Sequence, residues 1–202
     1  YNYLTSDLDS HGLNMRLDIN LEDDTSLDVI NISNGSSNSN FLNFRQKINI
    51  GKNSVLKNYN LDINPTSNIK YLYKDINLGQ NSHLEYFILS KGSKFAKHDI
   101  NCSLNNNHGS IALNGIIDLD NKKHHEIKTV INHNEENCKS YQLIKSVLSE
   151  NSKGIYQGKI YVNSKAQKTD GYQLSRALLL NDDVEFNAKP ELEIYADDVK
   201  CS

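Results

Sequence analysis

Three cysteines are the side chains of this sequence best suited to bind a soft metal or carry sulfur: Cys102, Cys138 and Cys201. They are few, odd in number and widely spaced, which argues against a disulfide framework and for a reducing compartment. Cys102 and Cys138 fall in or beside strand-like segments, so we expect buried, inert thiols there. Cys201 follows Lys200, whose charge would favour the thiolate, the form that binds iron or accepts sulfur. Residue chemistry alone still favours a structural role for Cys201.

A second group that could bind a metal is formed by His124, His125 and Glu126, with His133 and Cys138 further along the chain. Imidazole and thiolate are ligands of zinc and iron, so one of the adjacent histidines could pair with His133 or Cys138. However, neighbours on a strand point to opposite faces, and His124 and His125 cannot serve one site unless the strand bulges. The pattern therefore favours solvated strand histidines over a metal centre.

Acidic pairs occur at residues 23–24, 182–183 and 197–198. Paired carboxylates could bind calcium or perform glycosidase chemistry. Each pair lies where a chain corner is expected, and Asp is a common turn residue, so corners are the favoured interpretation. The sequence contains no GxSxG, P-loop or HExxH pattern, which leaves it without a recognisable catalytic motif.

The elements that must position these residues are predicted to be strands. Apolar residues alternate with polar ones over residues 15–21, and Leu27, Val29 and Ile32 continue the pattern. A period of two indicates half-buried strands. Residues 34–40 are predicted to form an exposed turn. Alternation continues over residues 97–137, whereas residues 138–150 fit a helical stripe about as well as a strand.

The best evidence for an internal repeat is that residues 48–56 recur 28 positions later as residues 76–84. Residues 92–95 and 181–184 are looser echoes of the same pattern. Each copy has an apolar strand end, a Gly, Asn or Asp corner, and a return to alternation. Repeats of this size stack on their neighbours to bury an apolar face. Corners this short favour a parallel β-helix, with a β-sandwich as the alternative.

Composition limits the remaining possibilities. With 202 residues and 37 % hydrophobic residues, one domain whose strands are solvated on one face is the expected arrangement. Asn is very common, which genome base composition can explain, although Asn also tolerates left-handed turns and stacked Asn ladders suit a coil of strands. The net charge is −3 and positive and negative residues are interspersed, so the sequence shows no basic patch of the kind that binds nucleic acid. No apolar run approaches the roughly 20 residues of a membrane span.

The last fifty residues contain three short apolar runs that are predicted to be strands. The first spans residues 155–162, the second combines residues 178–180 with Val184 and Phe186, and the third spans residues 192–199. A corner or bulge at residues 197–198 could return Cys201 to the interior side, but the spacing does not decide whether it points inward or outward.

This stretch also resembles a known family. Residues 166–170 (AQKTD), 178–180 (LLL) and above all 189–202 (KPELEIYADDVKCS) are similar to the signature of the SufB/SufD family of iron–sulfur cluster assembly proteins, on its SufD branch. The resemblance is strong from residue 140 to residue 202 and looser back to residue 48. The paralogous SufB branch is the close alternative, but residues 166–170 and 195–201 favour the SufD branch.

The resemblance implies an all-β fold, a right-handed parallel β-helix core, with residues 1–202 as a single β-helix domain. It also favours a strand over a helix for residues 138–150. Because the chain opens at Tyr1 and lacks the family's terminal helical regions, we expect a fragment or processed product. Cys201 matches the family cysteine implicated in building the nascent iron–sulfur cluster, so the resemblance makes Cys201 a cofactor-binding and metal-binding residue. The family histidine that follows would be residue 203.

The implied function is that of a non-enzymatic scaffold subunit, cytoplasmic in bacteria or located in a plastid. Its partners would be a SufB-like subunit and a SufC-like ATPase, with neither nucleic acid nor membrane involved and with a homodimer possible in isolation. The nascent cluster would be held transiently, with no tightly bound cofactor. From another class, the alternative is a secreted β-helix enzyme that processes polysaccharides, or an adhesin. The lack of a carboxylate cluster and of a signal sequence counts against it.

Overall fold

Strands form all the regular structure in a computed structural model that describes residues 12–33 and 41–202; this part of the chain contains no helix. Residues 34–40, where an exposed turn is predicted, lie outside the described residues. Residues 138–150, which fitted either element, contain a strand. The strands are β1 (Gly12–Leu21), β2 (Ser26–Ser33), β3 (Phe41–Ile50), β4 (Val55–Asp62), β5 (Ile69–Leu78), β6 (His83–Ser90), β7 (Phe95–Leu104), β8 (Ser110–Leu119), β9 (His124–His133), β10 (Lys139–Leu148), β11 (Lys153–Val162), β12 (Thr169–Leu179), β13 (Glu185–Ile194) and β14 (Val199–Cys201).

The strands build two parallel sheets of seven strands each. Sheet A contains the odd-numbered strands in the order β1-β3-β5-β7-β9-β11-β13, and sheet B contains the even-numbered strands from β2 to β14. Each coil of the chain therefore adds one strand to each sheet, and the two sheets enclose the core. The predicted right-handed parallel β-helix is confirmed. In the described residues, no helix is long and apolar enough to span a bilayer.

The register confirms the repeat that the sequence predicts. Ile48 pairs with Ile76 across β3 and β5, and Leu56 pairs with Leu84 across β4 and β6, so the 28-residue offset is one coil. The prediction that residues 92–95 and 181–184 are looser copies of this unit is wrong. Residues 51 and 79 lie at corners that lead from sheet A to sheet B, whereas residues 92–95 and 181–184 lie at or next to corners that lead from sheet B to sheet A.

The interior follows the period-two pattern, since alternate residues of each strand point inward. The main core contains buried residues from both sheets, such as Ile76, Leu84 and Ile131. Burying such large aliphatic side chains contributes roughly 1.5–3 kcal/mol each. Ile32 departs from the expectation: it lies on the outer face of β2 with 63 % of its surface exposed, because it is three residues from Val29 and so has opposite parity.

The corners between sheet A and sheet B are stabilised by a ladder of backbone hydrogen bonds. Asn53, Asn81 and His108 adopt positive φ, and each donates its N–H to a carbonyl of the next coil, at 2.9, 3.0 and 3.2 Å. Asn reaches this left-handed conformation at low cost, which gives Asn a structural role in the solenoid. The three acidic pairs all lie at corners, as predicted.

Side-chain amides form a second ladder along the end of sheet A. Asn49 Nδ2 donates to Asn20 Oδ1 at 2.7 Å, Asn77 to Asn49 at 3.1 Å, Asn105 to Asn77 at 3.2 Å, and Asn134 to Asn105 at 2.8 Å. Asn49, Asn77 and Asn105 each donate to the coil before and accept from the coil after. A ladder of the kind that suits a coil of strands is therefore present, and it links five successive coils.

At the C-terminal end, two of the three predicted apolar runs are divided by corners. Residues 155–162 lie within β11 as expected. Leu178 lies near the end of β12, whereas Phe186 belongs to β13, because residues 181–184 turn the chain from sheet B to sheet A. Likewise Ile194 ends β13 and Val199 begins β14, with the corner at residues 197–198 between them. Hydrophobicity alone could not separate these strands.

Candidate functional site

Cys201 lies at the open C-terminal end of the solenoid, on the three-residue strand β14. This strand pairs with β12 over Thr169–Gly171 only, and Cys201 is opposite Gly171. The corner at residues 197–198 returns the side chain to the inner side, where Cys201 packs against a small core that includes Ile160. A β-carbon at Gly171 would lie 3.3 Å from Cys201 Sγ. The absence of a side chain at Gly171 therefore leaves room for the sulfur atom. The spacing left this orientation open, and the structure assigns it as inward.

Burial raises the pKa of the Cys201 thiol above its ordinary value, and the charge of Asp170 acts in the same direction, while a hydrogen bond from the Gly171 backbone opposes both. The predicted lowering of the pKa by Lys200 is wrong. Neighbouring residues on a strand point to opposite sides, so the ammonium group cannot stabilise the thiolate. A metal ion that bound Cys201 at neutral pH would therefore have to displace the proton of its thiol.

Near Cys201, the edges of β12 and β13 have backbone groups that no described strand pairs with, and apolar side chains are exposed beside them. β14 covers only the first three residues of β12, and in the described chain no strand lies beyond β13. Leu178 is 58 % exposed and Tyr195 is also 58 % exposed. The other large apolar side chains exposed at this end are Leu179, Leu180, Leu192 and Ile194.

The histidines do not form a metal site with one another. His124 is half-buried on the outer face, 3.1 Å from Glu126 and edge-on to the ring of Phe95. His125 points into the core, where its ring is hydrogen-bonded to Ser90 Oγ at 2.8 Å. The prediction that neighbouring strand residues diverge is confirmed, although His125 is buried rather than solvated. No group of three or more metal-binding side chains occurs among residues 12–33 and 41–202.

His133 and the other two cysteines are buried. His133 is fully buried and is hydrogen-bonded to Ser140 Oγ at 2.8 Å. Burial raises the pKa of the Cys102 and Cys138 thiols, and the Cys138 thiol donates to the Asn106 carbonyl oxygen at 3.3 Å. The expectation of buried thiols at both positions is confirmed.

Sequence reasoning missed a set of charged residues inside the solenoid. Lys70 Nζ donates to Asp62 Oδ1 at 2.7 Å, and both side chains are almost fully buried. Burial alone would raise the pKa of Asp62, but the charge of Lys70 and hydrogen bonds from Lys70 and Ser93 outweigh it and lower the pKa. The signal was present in the sequence, since Lys70 and Lys74 have the same parity as the inward-facing Ile76.

Fold and site together define a two-sheet parallel solenoid with Cys201 on its last described strand. Comparison with known proteins gives this class a name: residues 3–202 match the family model "SUF system FeS cluster assembly, SufBD core domain". The chain belongs to this SufB/SufD family. It is 31 % identical over 163 residues to the iron–sulfur cluster assembly protein SufD of Escherichia coli (strain K12), which covers 80 % of the chain and 38 % of SufD.

Two further relatives agree with this assignment. The chloroplastic protein ABCI7 of Arabidopsis thaliana is 45 % identical over 64 residues, 31 % of this chain and 14 % of ABCI7. The SufBD family protein slr0076 of Synechocystis is 28 % identical over 124 residues, 61 % of this chain and 27 % of slr0076. The chain thus spans less than two fifths of the length of these relatives.

Proposed function

We propose that this chain is the β-helix core of a SufD-type scaffold subunit on which nascent iron–sulfur clusters are built. In this proposal the chain pairs with a SufB-like subunit and works with a SufC-like ATPase, while performing no catalysis itself. Support comes from the family membership and from the match to Escherichia coli SufD. The bacterial and chloroplastic relatives favour a cytoplasmic or plastid location.

The observation that carries the proposal is the position of Cys201 at the open edge. Iron–sulfur clusters are held by several ligands, mainly thiolates. Among the described residues, Cys201 belongs to no group of three or more side chains that could hold a metal ion. One thiol cannot hold a cluster, so further ligands are needed, and in this proposal the partner subunit supplies some of them. An interface site of this kind also suits a cluster that must later be passed on, because separating the subunits would remove ligands.

The C-terminal edge provides a means of pairing with that partner. The free backbone groups of β13 and of the second half of β12 could accept a strand from the SufB-like subunit. The exposed leucines at residues 178–180 would then be buried, which supplies association energy of about 25 cal/mol for each Å² of apolar surface removed from water. This arrangement would place Cys201 at or near the subunit boundary.

The test compares three single cysteine variants of the protein co-expressed with its SufB-like and SufC-like partners. Cys201→Ser removes a soft ligand and conserves size, so we expect an intact complex but a sharp loss of cluster assembly. Cys102→Ser and Cys138→Ser place a polar group in the core and should affect stability at most. The measurements are cluster absorbance and cluster transfer to an acceptor apoprotein.

Complex formation and unfolding temperature are recorded for all three variants. The site assignment is wrong if Cys201→Ser assembles clusters like the wild type while another cysteine variant fails. The family role itself is contradicted if ATP or a polyuronide is hydrolysed by the purified chain and this activity is lost on substitution of Asp182 or Asp197.

A further inference from the structure

Residues 166–170, which carry part of the family resemblance, form the corner that lies beside the corner leading to Cys201. Ala166 is fully buried, in the same small core that Cys201 packs against. Thr169 is buried as well, and its hydroxyl donates to the Ala166 carbonyl oxygen at 2.8 Å. These two residues therefore close their own corner. Gln167, which lies between them, instead contacts the following coil.

The backbone hydrogen bonds between coils identify Asp198 as the residue equivalent to Gln167. Asn137 donates its N–H to the Gln167 carbonyl oxygen at 2.9 Å, and Lys168 donates its N–H in the same way to the Asp198 carbonyl oxygen at 2.6 Å. Asn137 and Lys168 both adopt positive φ, of 60° and 59°. Gln167 and Asp198 therefore occupy the same position in successive corners.

The corner that leads to β14 is one residue shorter than the corner before it. Thr169 begins β12 two residues after Gln167, whereas its pairing partner Val199 directly follows Asp198. The omitted position is the one with positive φ in the earlier corner, and neither the last corner nor β14 contains a residue with positive φ. A one-residue change of register turns every side chain of a strand to its other face. The short corner is therefore what points Cys201 inward.

The Gln167 side chain makes a hydrogen bond that holds this short corner in place. Its Nε2 donates to the Ser164 carbonyl oxygen at 2.9 Å, within the same corner as Gln167 itself. Its Oε1 accepts the Asp198 N–H, also at 2.9 Å. Because the Asp198 carbonyl accepts the Lys168 N–H, both backbone groups of Asp198 are bound by the preceding coil.

We propose that Gln167 is a positioning residue for Cys201. By accepting the Asp198 N–H, it keeps the last corner short, so that β14 pairs in the register that places Cys201 opposite Gly171 on the inner side. Without this hydrogen bond, β14 separates from β12 more readily and the thiol becomes more exposed. Cluster assembly requires the inward orientation only if Cys201 is a cluster ligand, so this consequence rests on the proposed function.

The first test compares Gln167→Met with Gln167→Glu in the protein purified without partners. Both variants keep a side chain of similar size and lose the donor to Ser164, but only Gln167→Met also loses the acceptor for the Asp198 N–H. The measurement is the rate at which iodoacetamide alkylates each cysteine, followed by mass spectrometry of the cysteine peptides. We expect Gln167→Met to raise the Cys201 rate by about fivefold, the factor that one hydrogen bond of ordinary strength provides. Gln167→Glu should stay near the wild-type rate.

Cys102 separates positioning from a general loss of structure. It is fully buried on β7, so its alkylation rate reports opening of the whole solenoid and should be unchanged in both variants. The proposal is overturned if Gln167→Met leaves the Cys201 rate at the wild-type value, or if Gln167→Glu raises that rate equally. It is also overturned if the Cys102 and Cys201 rates rise together, since Gln167 then stabilises the chain as a whole.

The second test measures cluster assembly with the SufB-like and SufC-like partners for the same variants and for Cys201→Ser. We expect Gln167→Met to lower assembly and Gln167→Glu to retain it. If alkylation responds as expected but Cys201→Ser assembles clusters normally, the proposed function is wrong while Gln167 still positions the thiol. If Cys201→Ser lowers assembly but Gln167→Met matches the wild type in assembly, the positioning role in cluster assembly is wrong and the proposed function stands.

Discussion

Two lysines on one strand show how strongly a partner decides the effect of a buried charge. Lys70 is paired with Asp62 and also donates to Ser33 Oγ at 2.5 Å. Lys74 is equally buried but has only the Gln46 Oε1 acceptor at 2.7 Å and the ring of Phe44, 4.4 Å from its ammonium group. Burial lowers the pKa of Lys74 to about 7. Lys70 thus completes a buried ion pair, whereas the Lys74 ammonium group is buried without a carboxylate partner, which costs folding free energy.

We predict opposite consequences for the same substitution at these two positions. Lys70→Met leaves Asp62 as an unpaired buried charge and should cost about 3–5 kcal/mol of unfolding free energy. Lys74→Met removes an unpaired cation and leaves only the Gln46 amide oxygen without a donor. It should therefore lower the unfolding free energy by at least about 2 kcal/mol less than Lys70→Met does. Urea unfolding at pH 7 measures both. Equal destabilisation by the two variants would contradict this interpretation.

The contribution of Lys74 to the unfolding free energy should also depend on pH. The Lys74 pKa is lower in the folded chain than in the unfolded chain, so the unfolded chain binds more protons between pH 7 and about 10.5. The contribution of Lys74 to stability should therefore rise with pH over this window. Lys74→Met should lose that rise, and Lys70→Met should retain it.

At the candidate site, the sequence singles out Cys201 as a candidate but does not predict its environment. The match over residues 189–202 singled out Cys201, and the acidic pair beside it predicted a corner. Side-chain direction after a corner depends on how many residues the turn contains, so alternation could not be extended through residues 197–198. The effect of Lys200 was misjudged for a similar reason, because adjacency in sequence was taken for proximity.

At the scale of single elements, the corners explain both the success and the failure of the repeat analysis. Gly51 and Gly79 were correctly paired, because each begins a corner from sheet A to sheet B and donates its N–H to the coil before it. Residues 92–95 share the Gly and Ser of this pattern but lie at the opposite corner. Short turn motifs use the same few residues at both corners, so the strand register is needed to tell them apart.

Gly79 gives a test of how tightly these corners are stacked. A β-carbon at Gly79 would lie 2.8 Å from the Ile50 carbonyl oxygen and 2.9 Å from the Gly51 carbonyl carbon, both backbone atoms of the adjacent coil. The backbone cannot move aside as a side chain can, so Gly79→Ala should destabilise the chain by about 1–3 kcal/mol or more. Thermal unfolding followed by circular dichroism measures the change.

Gly109→Ala is the matched control at the next corner of the same kind. The added β-carbon would lie 3.1 Å from Leu104 Cδ2, the end of a flexible side chain, and 3.5 Å from the nearest backbone atom. Gly109→Ala should therefore be the milder substitution. If it destabilises the chain as much as Gly79→Ala does, close approach of the backbones is not what requires glycine at residue 79.

At the scale of the whole molecule, the sequence predicted the type of fold but not the contents of its interior. Alternation and the repeat led directly to a parallel β-helix, since both are properties of every coil. The buried polar residues were not anticipated, because a Lys or His on an otherwise apolar strand face carries no signal of its partner. His98, His125 and His133 are all inside the solenoid: His98 lies on β7, and His125 and His133 lie on the neighbouring strand β9.

These three histidines make the stability of the whole solenoid sensitive to acid. Burial lowers the pKa of His98 to about 3, and those of His125 and His133 to about 4. In the unfolded chain all three titrate near 6.5. Because the folded pKa values are the lower ones, the unfolded chain binds more protons below pH 6.5, and stability is lost as pH falls towards 4.

We predict that the unfolding free energy decreases steeply between pH 6 and pH 4, with a slope approaching about 4 kcal/mol per pH unit for three protons. Over two pH units this slope removes at most about 8 kcal/mol, which is sufficient to unfold a domain in the lower half of the ordinary stability range of about 5–15 kcal/mol. Urea titrations at half-unit pH intervals measure it. His133→Gln should reduce the slope by about one proton. A constant unfolding midpoint from pH 7 to pH 4 would show that the buried histidines gain their protons without unfolding the solenoid.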